Sequence, residues 1–300
     1  MQSADACYTF ADMRSPLLLA ALAITAACAR SPSLRSTAPR IISLTPAVTE
    51  TLFALGAGAE VVGVSQYCDY PPAARRLPRI GSFLTPNLEA IVALRPTLVI
   101  GLNTSSDLRE IRALNAMGIA TLMVDDDSVV AIERSIESIG AAIGRAADAQ
   151  RLEENLRRRL AATAQRLRSR PSRSVLMIVG HQPLVAVGRD NFLNDLLTLA
   201  HADNIGAVSD QAWPRLSLEY ILASAPEVIL DGQMGSDPGS PSYFWSRYPS
   251  LPAVRHHRVF GYPDDPTLHP GPRIDQTLDL LAARIHPEAF GTTQPRLSAE

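Results

Sequence analysis

Aromatic residues are scarce in this chain: Phe, Trp and Tyr make up 5% of 300 residues, and two of them are tryptophan. Cysteine is scarcer, at three. Cys7 and Cys28 fall in the N-terminal segment, which leaves Cys68 alone, so no internal disulfide is expected. Cys68 reads as a small buried hydrophobe rather than a reactive thiol. Charge is low and nearly balanced, at a formal net −2. No basic patch is interleaved with aromatics, which argues against a nucleic-acid partner. A Walker P-loop and a nucleophile elbow are both missing. Gly56-Ala-Gly58 follows a helical pattern and lacks a third glycine, so it is a poor dinucleotide fingerprint. Neither H-E-x-x-H nor paired C-x-x-C spacing occurs, so a zinc site built by the protein alone has little support. An enzyme of the doubly wound class is therefore the less favoured reading, and no catalytic residue is assigned.

The front of the chain is an address. Met13-Arg14 precedes an apolar run from Leu17 to Ala27 that is too short to span a membrane. A basic start, a short apolar run and small residues describe a secretory signal. The small residues before Cys28 resemble the bacterial lipoprotein signal, in which that cysteine becomes the lipidated N-terminus. Thr25 stands where that signal usually has a leucine or similar residue, so cleavage to a soluble periplasmic protein is the alternative. Asp5 and Asp12 suit a signal poorly, which favours Met13 over Met1 as the start. Arg30 to Pro39 is rich in Ser, Pro, Ala and Arg and reads as a tether. Residues 1–39 are thus signal and tether.

The remainder says nearly the same thing twice. Leu88, Glu89, Ile91, Ala93 and Pro96 recur in order as Leu218, Glu219, Ile221, Ala223 and Pro226. In each copy an N-cap, Asn87 or Ser217, opens a short helix. A proline then ends it, and an apolar run, Leu98 to Ile100 or Val228 to Leu230, reads as a buried parallel strand. Glu89 and Glu219 fall in the first turn, where the helix dipole favours an anion by roughly 0.3–1 kcal/mol. Two similar α/β lobes make a cleft between them. The lobes are placed at residues 40–127 and 171–300, each a mostly parallel sheet wrapped by helices.

Between them, residues 128–170 contain no proline before the end, and apolar residues recur at helical spacing. Ile132, Ile136, Ile139 and Ile143 are continued by Leu152, Leu156, Leu160 and Leu167. Gly140 and Gly144 could bend this segment but need not break it. One long connecting helix is expected.

Signal, two lobes and a rigid connector together resemble the helical-backbone substrate-binding proteins of ABC importers, the class III periplasmic binding proteins, with two Rossmann-like lobes joined by one long backbone helix. Within that class the chain resembles the periplasmic cobalamin-binding proteins, through Arg40 to Glu50, Val62 to Pro72, both repeats, Trp213 to Glu219, and Pro272-Arg-Ile. The resemblance covers nearly all of residues 40–286. It implies a monomer, a bound corrinoid and no enzymatic cofactor. Tyr67, Phe83, Trp213 and Asp265 match ligand-contacting positions. Glu89 and Glu219 match the acids that dock onto arginines of the permease dimer, and the membrane is met only through a possible anchor at Cys28. Leu102, Val185, Pro266 and His269 stand where relatives carry tryptophan, phenylalanine, tryptophan and arginine. The pocket is then less aromatic, with His181 and His269 at its rim.

The chemistry is sensible on its own terms. A corrin is a flat, mostly apolar disc with an amide fringe, and aromatic faces bury such a disc with about 0.5–1.5 kcal/mol per stacked pair beyond area burial. Phe83, and Tyr70 near Tyr67, are each as well explained by core packing. Haem or a ferric siderophore is the alternative cargo. Haem favours a His or Tyr ligand, and His181 or His269 could ligate either haem iron or a corrinoid's cobalt axially. A siderophore favours several pocket arginines, for which Arg189, Arg215 and Arg273 are candidates.

Overall fold

Alternation of short apolar strands with capped helices builds two sheets. The computed structural model describes residues 39–103, 109–232 and 241–291. The expectations for the signal, for Cys28 and for most of the tether lie outside the described residues.

In the first lobe, strands β1 (Ile41–Ser43), β2 (Val61–Val64), β3 (Leu98–Leu102) and β4 (Ala120–Val124) form a wholly parallel sheet of order β2-β1-β3-β4. Helices α1 (Pro46–Ala54), α2 (Leu88–Ala93) and α3 (Arg109–Ala116) link them. Two longer helices follow, α4 (Val129–Ala142) and α5 (Ala146–Leu167).

The second lobe contains β5 (Arg173–His181), β6 (Leu184–Ala186), α6 (Phe192–Leu199), β7 (Ala202–Asn204), α7 (Leu218–Ser224), β8 (Val228–Asp231), α8 (Pro241–Trp245), α9 (Pro252–Arg255), β9 (Val259–Gly261), α10 (Asp264–Thr267) and α11 (Ile274–Ile285). Its sheet order is β6-β5-β8-β9 with β7 also on β5, and β6 alone runs antiparallel to its neighbour.

The repeat is realised as equivalent structure. Asn87 Oδ1 accepts from Ala90 N at 3.0 Å to cap α2, and Ser217 Oγ accepts from Tyr220 N at 3.1 Å to cap α7. Each helix then leads into an interior strand, β3 or β8. Side chains alternate as strand geometry requires. Ile100, Val228 and Leu230 enter a core shared by both lobes, whereas Val99 and Ile229 enter separate cores on the outer sheet faces.

The single helix expected over residues 128–170 is corrected to two. Arg145 N donates to Gly140 O at 2.7 Å and Gly144 N to Ala141 O at 3.2 Å, with Gly144 at φ 73°. That is a Schellman termination, which stops a helix through a left-handed glycine. The chain then turns back. Glu133 of α4 pairs with Arg157 of α5 at 3.1 Å, and a Cβ on Gly140 would lie 2.3 Å from that of Ala149. The connector between the sheets is therefore α5, whose 22 residues span about 33 Å. Arg145 ties its start to Glu60 in the first lobe at 2.6 Å. Arg159 and Thr163 tie it to Asp275 and Asp279 of α11 at 3.0 and 2.6 Å. No helix among the described residues is long and apolar enough to cross a membrane.

Candidate functional site

In open α/β sheets, ligands bind in the crevice beyond the carboxyl ends of the strands. On the first lobe that region carries Tyr67, three residues after β2, and Phe83, in the loop before α2. The two rings meet edge to face with centroids 6.0 Å apart. They stay 48% and 36% exposed, respectively, so neither plugs the core. Tyr70 lies deeper and has the guanidinium of Arg273 3.8 Å over its ring. Cys68 is fully buried beside Ser65, with Sγ and Oγ 3.1 Å apart. Burial pushes its thiol pKa up, which keeps it unreactive.

On the second lobe Trp213 stands in the loop before α7 and is 45% exposed. It makes no ring contact among the described residues, so the structure does not bring it against Tyr67 or Phe83. The loop beneath it is tightly held. Gly188 N donates to Ala212 O and Ala186 N to Pro214 O, both at 2.9 Å. A Cβ on Gly188 would collide with Gln211 O at 1.9 Å.

His181 differs from its expected place at the rim. Its side chain is 6% exposed, and its Nε2 lies 2.8 Å from Oδ2 of Asp231. Its ring stacks on Phe244 at 3.9 Å. Asp231 ends β8, is fully buried, and also accepts from Trp245 Nε1 at 2.8 Å. His181 thus belongs to a network that pins α8 to the sheet, and its Nε2 is not offered to a metal in the crevice. Of the three candidate siderophore arginines, Arg215 is exposed, Arg189 pairs with Asp210 at 3.2 Å on the surface, and Arg273 is committed as follows.

Asp265 and His269 do come together, around a residue the sequence reading passed over. Glu50 of α1 has a side chain 1% exposed. Its Oε2 accepts from Arg273 Nε at 2.7 Å, and its Oε1 from Arg273 Nη2 at 2.5 Å. His269 Nδ1 lies 3.1 Å from the same Oε1 and 3.3 Å from Asp265 Oδ1. Arg273 also donates to Asp265. The bond from His269, with those of Arg273, holds the Asp265 carboxyl below its usual range. Burial would lower the His269 pKa, but bonds to Asp265 and Glu50 and their charges outweigh it and raise the imidazole to about 9. Ligand atoms of Glu50, Asp265 and His269 lie within 4.8 Å of one another. Even so, Arg273 already fills both Glu50 oxygens, so this is an ion network rather than a cation site. Asp265 keeps an exposed side, through which it can still meet a ligand. A lone acid in the apolar helix segment Pro46–Ala54 was the available signal for Glu50, since a buried charge needs a partner.

The raised His269 has a measurable consequence. Its folded value exceeds the unfolded value near 6.5. The stability it adds is therefore complete below that pH and lost as pH rises through about 9, on the order of 3 kcal/mol. Urea unfolding from about pH 6 to pH 10 should show wild type losing most of its advantage over His269→Asn. A constant difference between the two would contradict the ion network.

Glu89 and Glu219 are both exposed near the starts of α2 and α7 and make no ion pair among the described residues.

The family profile described as periplasmic binding protein matches residues 41–266. A vitamin B12-binding protein of Salmonella choleraesuis (strain SC-B67) is 30% identical over 217 residues, covering 72% of this chain and 81% of that protein. An uncharacterised ABC transporter substrate-binding lipoprotein of Bacillus subtilis (strain 168) is 31% identical over 261 residues, covering 84% and 81%. The solved structure of a periplasmic heme-binding protein from Roseiflexus sp. RS-1 superposes with a TM-score of 0.75 at 29% identity, covering 84% of this chain and 99% of that one.

Proposed function

The chain belongs to the periplasmic binding protein family, as an extracytoplasmic substrate-binding protein of the ABC-importer type rather than an enzyme, and on that premise we propose that it captures a corrinoid between its lobes and delivers it to a permease dimer. The observation that carries this reading is the placement of exposed aromatics. In a chain with 5% aromatics, Tyr67 and Phe83 stand on one lobe and Trp213 on the other, all on loops and all open to solvent. Such faces suit a flat chelate, and the tyrosine and indole tips suit its amide fringe. The vitamin B12-binding relative supports the corrinoid. Asp265 would meet the fringe from its open side. The lipoprotein relative supports an anchor at Cys28.

Haem is the second reading, favoured by the heme-binding neighbour. His269 could reach an iron only through Nε2, since Nδ1 faces the carboxylates. With a pKa raised to about 9, a proton competes for that atom at neutral pH, which weakens the reading.

The test is incubation with hydroxocobalamin or hemin, desalting, and an absorption spectrum. Retained corrinoid bands are expected. Retained haem alone would select the second reading, and neither would remove both. Trp213→Ala should weaken binding more than tenfold, and a titration like that of wild type would refute the pocket assignment.

Glu89 and Glu219 are the docking acids of this proposal. Changing both to alanine should leave binding intact and cut uptake in cells at least tenfold. Unchanged uptake would return them to compensation of the helix dipole.

A further inference from the structure

We infer that Glu50 is a positioning residue of the crevice, which from the first lobe fixes the loop carrying Asp265 and His269 on the second. Between described residues, every side-chain hydrogen bond or ion pair that directly joins residues 39–127 to residues 171–291 runs through this one carboxylate. Both its oxygens are used, and the fork of Arg273 meets them in the two-point geometry that fixes direction as well as distance. Arg273 passes that constraint to both walls. It binds Asp265 on its own lobe, and its guanidinium lies over Tyr70 of the opposite lobe, three residues from Tyr67. The backbones also meet here. A Cβ on Gly271 would stand 3.2 Å from Cα of Ala47 in α1, so the loop and the helix approach as closely as a glycine permits.

The connector α5 joins the lobes through Arg145 to Glu60 and through Arg159 and Thr163 to α11, none of which touches the loop that carries Asp265 and His269. The Glu50 junction adds a second, direct constraint on the side of the crevice. Charge balances within it, with Glu50 and Asp265 facing Arg273 and His269. A fixed gap suits cargo that is rigid and flat, which needs matched walls rather than wide closure. That last step rests on the proposed capture of a chelate, whereas the junction itself does not.

The experiment has an arm without cargo and an arm with it. Glu50→Gln keeps the length of the side chain and removes its charge. Arg273→Lys keeps the charge and removes the fork, and it serves if the first variant does not fold. In cargo-free protein, amide hydrogen exchange over residues 65–71 and 264–273 should speed up at least tenfold, while α3 and β4 stay as in wild type. Unchanged exchange in those two segments overturns the inference. With cyanocobalamin or hemin, whichever wild type retains, the dissociation rate per folded molecule should rise at least tenfold. A wild-type dissociation rate in a folded variant also overturns it, since a merely structural residue would lower the amount of folded protein and leave that rate alone. If wild type retains neither probe, the cargo reading fails and the exchange arm still decides the junction.

Discussion

Replacing Arg273 with alanine should lower the free energy of unfolding by roughly 3–5 kcal/mol, the usual cost of leaving one member of a buried ion pair alone. Glu50 would stay behind with a side chain that is 1% exposed and would lose two of its three donors. His269, still near Oε1, would soften the loss, so the lower part of that range is expected. The cost comes from desolvation of the stranded carboxylate rather than from the attraction itself. A double variant, Glu50→Met with Arg273→Met, should therefore recover most of the stability, because apolar pairs of similar volume often replace buried ion pairs without loss. Urea unfolding measures both. A single variant within about 1 kcal/mol of wild type would mean that water reaches Glu50 and that the junction is not closed.

Trp245→Ala should cost about 3–5 kcal/mol, as removal of a buried aromatic generally does. Trp245, the last residue of α8, is fully buried in the core on the outer face of the second sheet, edge to face with Phe244 at 5.1 Å. Its Nε1 donates to Asp231, and its loss would open a cavity and leave that buried carboxylate one donor short. Equilibrium unfolding tests the stability. The gentler Trp245→Phe gives an optical assay, since the chain has two tryptophans. Its remaining emission comes from Trp213 and should be quenched by iodide and by bound cargo. Loss of less than about 1 kcal/mol in the alanine variant would contradict the burial on which this expectation stands.

Local signals were legible where local forces decide. Asn87 and Ser217 cap their helices as read, because a cap is a contact between residues three apart in sequence. The apolar runs at Leu98 and Val228 became interior strands, because a strand flanked on both edges and covered on both faces has to be apolar throughout. The connector was misread for a related reason. Isoleucines and leucines at helical spacing continue through residue 143, so periodicity alone cannot show where a helix stops. The stop lies in the φ of Gly144, which a sequence displays only as a glycine.

The site was legible in part. Tyr67, Phe83 and Trp213 stood out as aromatics on loops in a chain that has few, and exposure bears out their loop positions. His181 was placed at the rim by the resemblance, but it faces inward. Its partner Asp231 lies 50 positions away, and no local pattern joins them. Glu50 was passed over because its partners, Arg273 and His269, lie more than two hundred positions along the chain.

The sequence by itself determined the two α/β halves, their repeat, and the aromatic and acidic residues that each half presents, since propensity, capping and alternation act over a few residues. Tertiary structure decided which charges meet across the halves, which histidine is buried, and how the connector folds. Those outcomes depend on desolvation and on distances between segments far apart in the chain, which are set only when the whole chain has packed.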